Sequence, residues 1–182
     1  RSKEGRDADL WQMMQDEGYG PIGIHHLPMS QTWETDRPPV PLLAWGVYLT
    51  IDDVAKIAGL IERRGMHNGA QLLSASGLAE ALYDTDERGL LTGASNRYGE
   101  NTYHLTVWHE NYTTTSGKTY TIPSMNGYGG NLVKIMPNGV IGFRMGNGDD
   151  KPVEQMIVIA DKLFPFDQYN RKSGKAVVVA KP

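Results

Sequence analysis

The densest concentration of groups able to touch a ligand is the run Ser124-Met-Asn-Gly-Tyr-Gly-Gly-Asn131, where three of the four positions from Gly127 to Gly130 carry no side chain. Removing side chains from a strand lets a substrate meet backbone N–H groups directly, and such donors stabilise the oxyanion of an acyl-transfer reaction. The competing reading of the same residues is a glycine-rich bulge with no ligand. Serine acyl transfer also needs a nucleophile with a base in reach. None of Ser2, Ser30, Ser74, Ser76, Ser95, Ser116, Ser124 and Ser173 has lysine three residues on. None lies in a Gly-x-Ser-x-Gly elbow, and no tyrosine begins a Tyr-x-Asn. The chain therefore shows no nucleophile motif of its own.

Other chemistries are excluded residue by residue. The absence of cysteine removes disulfides, thiolate zinc sites and thiol nucleophiles. Of the histidines, His25, His26, His67, His104 and His109, none fits an HExxH pattern. His104 and His109 are five apart on one predicted strand, where opposite parity sends them to opposite faces, so no metal site is expected. The His25-His26 pair reads as part of an ordinary loop. Ser116-Gly-Lys-Thr119 looks like the end of a phosphate-binding loop, but Tyr112 stands where its first glycine belongs. Gly146-Asn-Gly-Asp-Asp150 lacks the alternating acidic ligands of a calcium loop, and Asp84, Asp86 and Glu87 read as a solvated patch. No cofactor is implied.

The elements that would position the glycine run follow from periodicity. A short helix is predicted from Asp9 to Glu17, stopped by Gly18, and then a long proline-rich loop from Tyr19 to Pro41. Thr50 and Asp53 form a capping box for a helix whose Ile51, Val54, Ile57, Ala58 and Ile61 repeat at helical spacing until Gly65. A second helix starts at a Ser74 cap and runs through Leu78 and Leu82. Strands begin at Asn101, with Tyr103, Leu105 and Val107 alternating against His104, Thr106 and Trp108, and Asn111 to Lys118 forms a turn. Thr119 to Ile122 opens the next strand, and Leu132–Met136 and Val140–Met145 make a hairpin about Pro137-Asn-Gly139. Pro152 starts a final helix with Val153, Met156, Ile157, Ala160 and Leu163 on one face, and Pro165 stops it. The order predicts an α+β class in which one antiparallel sheet carries the last helix on one face. It divides the chain into a helical portion at 1–100, sheet and helix at 101–166, and a tail at 167–182.

At 182 residues, 40% apolar and 21% charged, the chain has the composition of a globular domain. A net charge of -3 without a basic stripe gives no field for nucleic acid. No run of about 18 apolar residues is present to span a membrane. The opening Arg1-Ser-Lys-Glu-Gly-Arg6 has no initiator Met and no signal sequence, and reads as a cut or expression boundary.

Segment order then brings a family into view. Ala44-Trp-Gly-Val-Tyr-Leu-Thr50, Asp52-Asp-Val-Ala-Lys56, Asn68-Gly69 and Gln71-Leu-Leu73 resemble a stretch of the helical lobe of the serine β-lactamase-like hydrolases. Met125 to Asn131, ahead of Met136-Pro137, is similar to that family's third active-site strand. The resemblance covers roughly Leu10 to Phe164. It implies a sheet with flanking helices beside part of a helical lobe, with the site in the cleft between them, and an ester or amide cleaved through an acyl-enzyme. Carried onto this chain, a backbone N–H near Met125 or Asn126 helps hold the oxyanion, and Gly127, Tyr128, Gly129, Gly130 and Asn131 line the pocket. Met125 stands where relatives carry lysine or histidine, which departs from carboxylate recognition of the penicillin type. The family's SxxK and YxN motifs lie outside this chain, so it resembles the C-terminal half of such a hydrolase, from the bacterial envelope. A missing N-terminal half or a second copy of the chain is then expected to cover the last helix and the sheet edge. The alternative is a catalytically inactive binding module of the same fold.

Overall fold

The structure is a computed structural model and describes residues 10–25, 48–82, 89–127, 129–146 and 153–169. Most of the proline-rich loop, the acidic residues at 84–87, the segment 147–150 and the tail beyond Tyr169 lie outside the described residues. The chain divides into two compact units, Arg1–Ala75 and Ser76–Pro182.

In the first unit, α1 (Leu10–Met14) does not stop at Gly18. It continues as a π-helical turn, Gln15–Tyr19, and a 3-10 turn, Gly20–Ile22. The residue that ends the run by turning left-handed is Gly23, at φ 77°. Helix α2 (Ile51–Glu62) has the expected capping box: Asp53 N donates to Thr50 Oγ1 at 3.2 Å and Thr50 N donates to Asp53 Oδ2 at 2.9 Å. Past its end, Gly65 at φ 81° sends its N–H back to Leu60 O, and a Cβ there would stand 2.3 Å from Leu73 O, so only glycine fits. A small hairpin follows, β1 (Met66–His67) and β2 (Ala70–Gln71) about Asn68-Gly69, which periodicity does not reveal because each strand has two residues. Ile22, Ile24 and Leu60 form the buried centre of this unit, with Tyr19, Ile57, Leu72 and Leu73 packed on it.

The second unit holds most of α3 (Ala75–Leu82) and a six-stranded antiparallel sheet in sequence order. Its strands are β3 (Leu90–Asn96), β4 (Gly99–His104), β5 (Val107–Thr113), β6 (Thr119–Gly127), β7 (Asn131–Ile135) and β8 (Ile141–Arg144). Helices α4 (Val153–Leu163) and α5 (Phe166–Tyr169) complete it. The α+β class and the hairpin about Pro137-Asn-Gly139 are as the sequence predicts. Strands begin earlier than Asn101, at Leu90, and the predicted strand through Leu105 is two strands. Leu105 and Thr106, at φ 44° and 67°, form a two-residue reversal between β4 and β5. That reversal corrects the histidine geometry: Thr102 lies opposite His109, so His104 and His109 share one face. Likewise Asn111 to Thr113 belong to β5, and the turn is confined to Thr114–Lys118.

Ile157 and Ala160 of α4 and Phe166 of α5 pack with Tyr112, Tyr120, Ile122 and Met136 of the sheet into one buried cluster. Its polar ties are specific. Asn138, in the β7–β8 turn, donates through Nδ2 to Ala160 O at 3.0 Å and Phe164 O at 2.7 Å, and accepts from Val140 N at 3.1 Å. It thereby caps the C-terminal end of α4, sharing Ala160 O with Phe164 N and giving Phe164 O, just past the last turn, a donor. Asn138→Ala is expected to cost about 1–3 kcal/mol, because Phe164 O and Val140 N lose their partner and Ala160 O keeps only Phe164 N, as measured by urea unfolding.

Asp167, in α5, accepts from Ser116 Oγ at 2.7 Å, Tyr120 OH at 2.8 Å and Thr114 Oγ1 at 3.3 Å. The Ser116 hydroxyl, then that of Tyr120, holds its carboxyl below the ordinary aspartate range. A carboxyl with a depressed folded-state pKa stabilises the fold above its unfolded pKa, and that contribution is lost as pH falls through the folded value. Asp167→Asn is therefore expected to flatten the loss of stability below about pH 4, read from thermal unfolding at stepped pH.

Candidate functional site

The glycine run forms the end of β6 and the turn into β7. Met125 lies opposite Val133, Asn126 opposite Leu132 and Gly127 opposite Asn131. Gly129 and Gly130, at φ 78° and 80°, make the reversal, while Tyr128 lies outside the described residues. Six of the seven candidate residues are thus placed in one strand end and its turn.

This strand is not a sheet edge, as β6 runs between β5 and β7. Among the described residues one of its flanks is nevertheless left without a ladder partner near its end. Strand β6 pairs with β5 from Thr119 to Ser124 and with β7 from Ser124 to Gly127. Ser124 alone has partners on both sides, Trp108 and Lys134. The exchange of partner falls beside Pro123, which has no N–H to contribute to a ladder. Beyond Ser124, the β5 flank of Met125, Asn126 and Gly127 has no ladder partner among the described residues. Successive residues of a strand point their backbone groups to alternate flanks, so donors in this stretch face that opening.

The glycines differ in what demands them. Gly129 and Gly130 need a left-handed backbone. Gly127 has no such φ, and among the described residues a Cβ added there would meet only Asn131 O at 3.4 Å and Asn131 Cβ at 3.5 Å, ordinary contacts. Neither its conformation nor its packing against the described residues asks for glycine at 127. Asn131 serves the fold, since its Oδ1 accepts from Gly146 N at 3.1 Å and ties the end of β8 to the turn.

By parity, Met125 points to one face of the sheet and Ser124 to the other. The Met125 face also carries His109, which is buried with Nε2 3.1 Å from Ala81 O, fastening the end of α3 to β5. His109 is thereby occupied with a carbonyl. Among the described residues no group of three His, Asp or Glu side chains could hold a metal ion.

On the opposite face, which carries α4, the structure shows a contact that sequence spacing misses. Lys134 Nζ lies 3.1 Å from Ser124 Oγ and 2.5 Å from Glu110 Oε1. The signal is cross-strand register, not the i, i+3 spacing of a helix. Ser124 and Lys134 are both 0% exposed, and Glu110 is 13% exposed at its side chain. Burial pushes the Lys134 ammonium below the ordinary lysine range, and the Glu110 carboxylate pushes it back. A lysine so paired donates to Ser124 and is not free to take its proton, and no substrate reaches a fully buried hydroxyl. This serine–lysine pair therefore holds the sheet and is not a nucleophile.

In the first unit a pocket of about 340 Å³ is lined by Met13, Met14, Ile22, Ile57 and Leu60 with Glu17 and Tyr19. Its lining among the described residues is predominantly apolar and contains no serine, lysine or histidine. Among the described residues no helix is long and apolar enough to cross a membrane. Compared with family models, curated proteins and solved structures, the chain matches none.

Proposed function

We propose that this chain is the pocket-wall portion of a β-lactamase-like serine hydrolase that cleaves an ester or amide through an acyl-enzyme, its nucleophilic serine, lysine and tyrosine lying in polypeptide other than residues 1–182. The single observation that carries the reading is Gly127: a glycine the fold does not require, on a strand end whose β5 flank is open. A side chain there costs the protein nothing within the described residues, so its absence is explained by something that approaches the backbone closely. Met125 or Asn126 then offers an N–H to the developing oxyanion, with Gly129 and Gly130 at the pocket rim. An α+β fold with a six-stranded antiparallel sheet and α4 packed on it supports this reading at the level of fold class. The same reading assigns a cover, the nucleophile-bearing polypeptide or a second copy, to Ile159 and Leu163 of α4, which are 55% and 65% exposed.

Gly127→Ala separates fold from function. In the 182-residue chain it is expected to leave the melting temperature unchanged or raise it, since the alanine removes unfolded-state freedom at a permitted φ. In the longer polypeptide, with an activated ester as substrate, it is expected to lower kcat/KM by about tenfold to a hundredfold through lost oxyanion contact. The 182 residues alone should not be labelled by a fluorophosphonate or a penicillin probe. Stoichiometric labelling of a serine within them would overturn the assignment. A longer polypeptide that binds ligands and hydrolyses nothing would favour an inactive binding module.

A further inference from the structure

The sheet is weakest in backbone pairing where β6 changes partner, for only Ser124 is joined to both neighbours. A strand held in two ladders that overlap at one residue can shift one ladder against the other, and a one-residue shift reverses every side chain. Beside that residue lies Lys134, the one fully buried lysine among the described residues. Lys134 extends from β7 across β6 to reach Glu110 on β5, a crossing of two strand spacings, roughly 9–10 Å between backbones. On its way its Nζ bonds Ser124 Oγ. One side chain thus ties all three strands together at the point where they overlap least.

Energy alone does not account for an ion pair in this position, because burying two charges rarely adds stability over apolar side chains of the same size, whereas such pairs can fix register. Glu110 and Lys134 lie in the same rows as the apolar residues under α4, with Tyr112 and Met136 two places along their strands. An all-apolar row would bury equally well in several offsets. The charged pair closes in one.

We propose that Lys134 is a positioning residue: bridged to Glu110 and Ser124, it fixes the offset of β7 against β5 and so sets where the Met125–Gly127 backbone stands beside its open flank. The inference rests on the proposed oxyanion role of that strand end for its functional meaning, and on the β6 register for its structural meaning. The residue touches no substrate and acts through the strand it holds.

Two variants test it in the 182-residue chain, Ser124→Ala and the double substitution Glu110→Gln with Lys134→Met, by native-state amide exchange. Those amides of Met125–Gly127 that bond to β7 are expected to exchange about tenfold faster or more, while Tyr112 and Ile122 stay within about twofold of the parent. Unchanged rates at the strand end would overturn the proposal, as would acceleration spread evenly over the sheet, which marks a merely stabilising contact. In the longer polypeptide the same variants are expected to lower kcat about tenfold with KM unaltered. A faster-exchanging strand end with kcat unchanged would remove the positioning role. Absence of any hydrolysis in the parent polypeptide would instead remove the hydrolase reading and leave the exchange result to decide the register lock alone.

Discussion

Lys134→Ala is expected to lower the unfolding free energy by about 3–5 kcal/mol, seen in urea titration as a large fall in the midpoint with little change of slope. Truncation strands the Glu110 carboxylate, whose side chain is 13% exposed, beside a cavity and removes the donor to Ser124 Oγ. The cost is that of the uncompensated charge more than of the lost attraction. The double substitution Glu110→Gln with Lys134→Met removes both charges together, and is expected to cost no more than about 1 kcal/mol. A loss below about 1 kcal/mol for Lys134→Ala would show that Glu110 reaches water freely once unpaired.

Phe166→Ala should be comparably damaging, at about 3–5 kcal/mol by the same measurement. Phe166 is 0% exposed and meets the rings of Tyr112 and Tyr120 edge to face, with centroids 5.6 Å away in both cases. Its loss leaves a void between the sheet and the end of α4 that neither tyrosine can collapse into. Their hydroxyls are held, Tyr112 by Asp161 Oδ2 at 2.9 Å and Tyr120 by Asp167 Oδ1 at 2.8 Å. Burial and the Asp161 carboxylate push the Tyr112 phenol well above its ordinary range, so the hydroxyl keeps the proton it donates at any physiological pH. Phe166→Leu, which keeps most of the volume, is expected to cost about half as much. Equal losses for the two variants would mean that ring geometry, and not volume, holds α5 in place.

What the sequence makes legible is whatever a local rule governs. The capping box at Thr50 and Asp53, the helix through Ile157 and Ala160 and the hairpin about Pro137-Asn-Gly139 each depend on residues within a few positions of one another. The π-helical turn at Gln15–Tyr19 escapes because no spacing rule announces i, i+5 closure, and Gly18 looks like an end only under the α-helical rule. The reversal at Leu105–Thr106 escapes because neither residue is a turn former, and strand alternation runs straight through it. For the candidate site, residue type marks the Met125–Asn131 run, but not its place between two strands. Its open flank and the pairing of Ser124 with Lys134 depend on which residues face one another across strands, a non-local property that a linear reading does not contain.

The brevity of the link at Leu105–Thr106 has a further effect. Trp108 is the last residue of β5 opposite β6, and only Val107 separates it from the reversal. Two non-glycine residues held left-handed there cost of order 1–3 kcal/mol each, a local expense that a longer, relaxed loop would avoid. A longer loop would also let the neighbouring strand grow and zip up the side of Met125 and Asn126 that has no strand partner among the described residues. A taut corner with unfavourable torsions is thus what keeps an aperture in an otherwise continuous β-ladder.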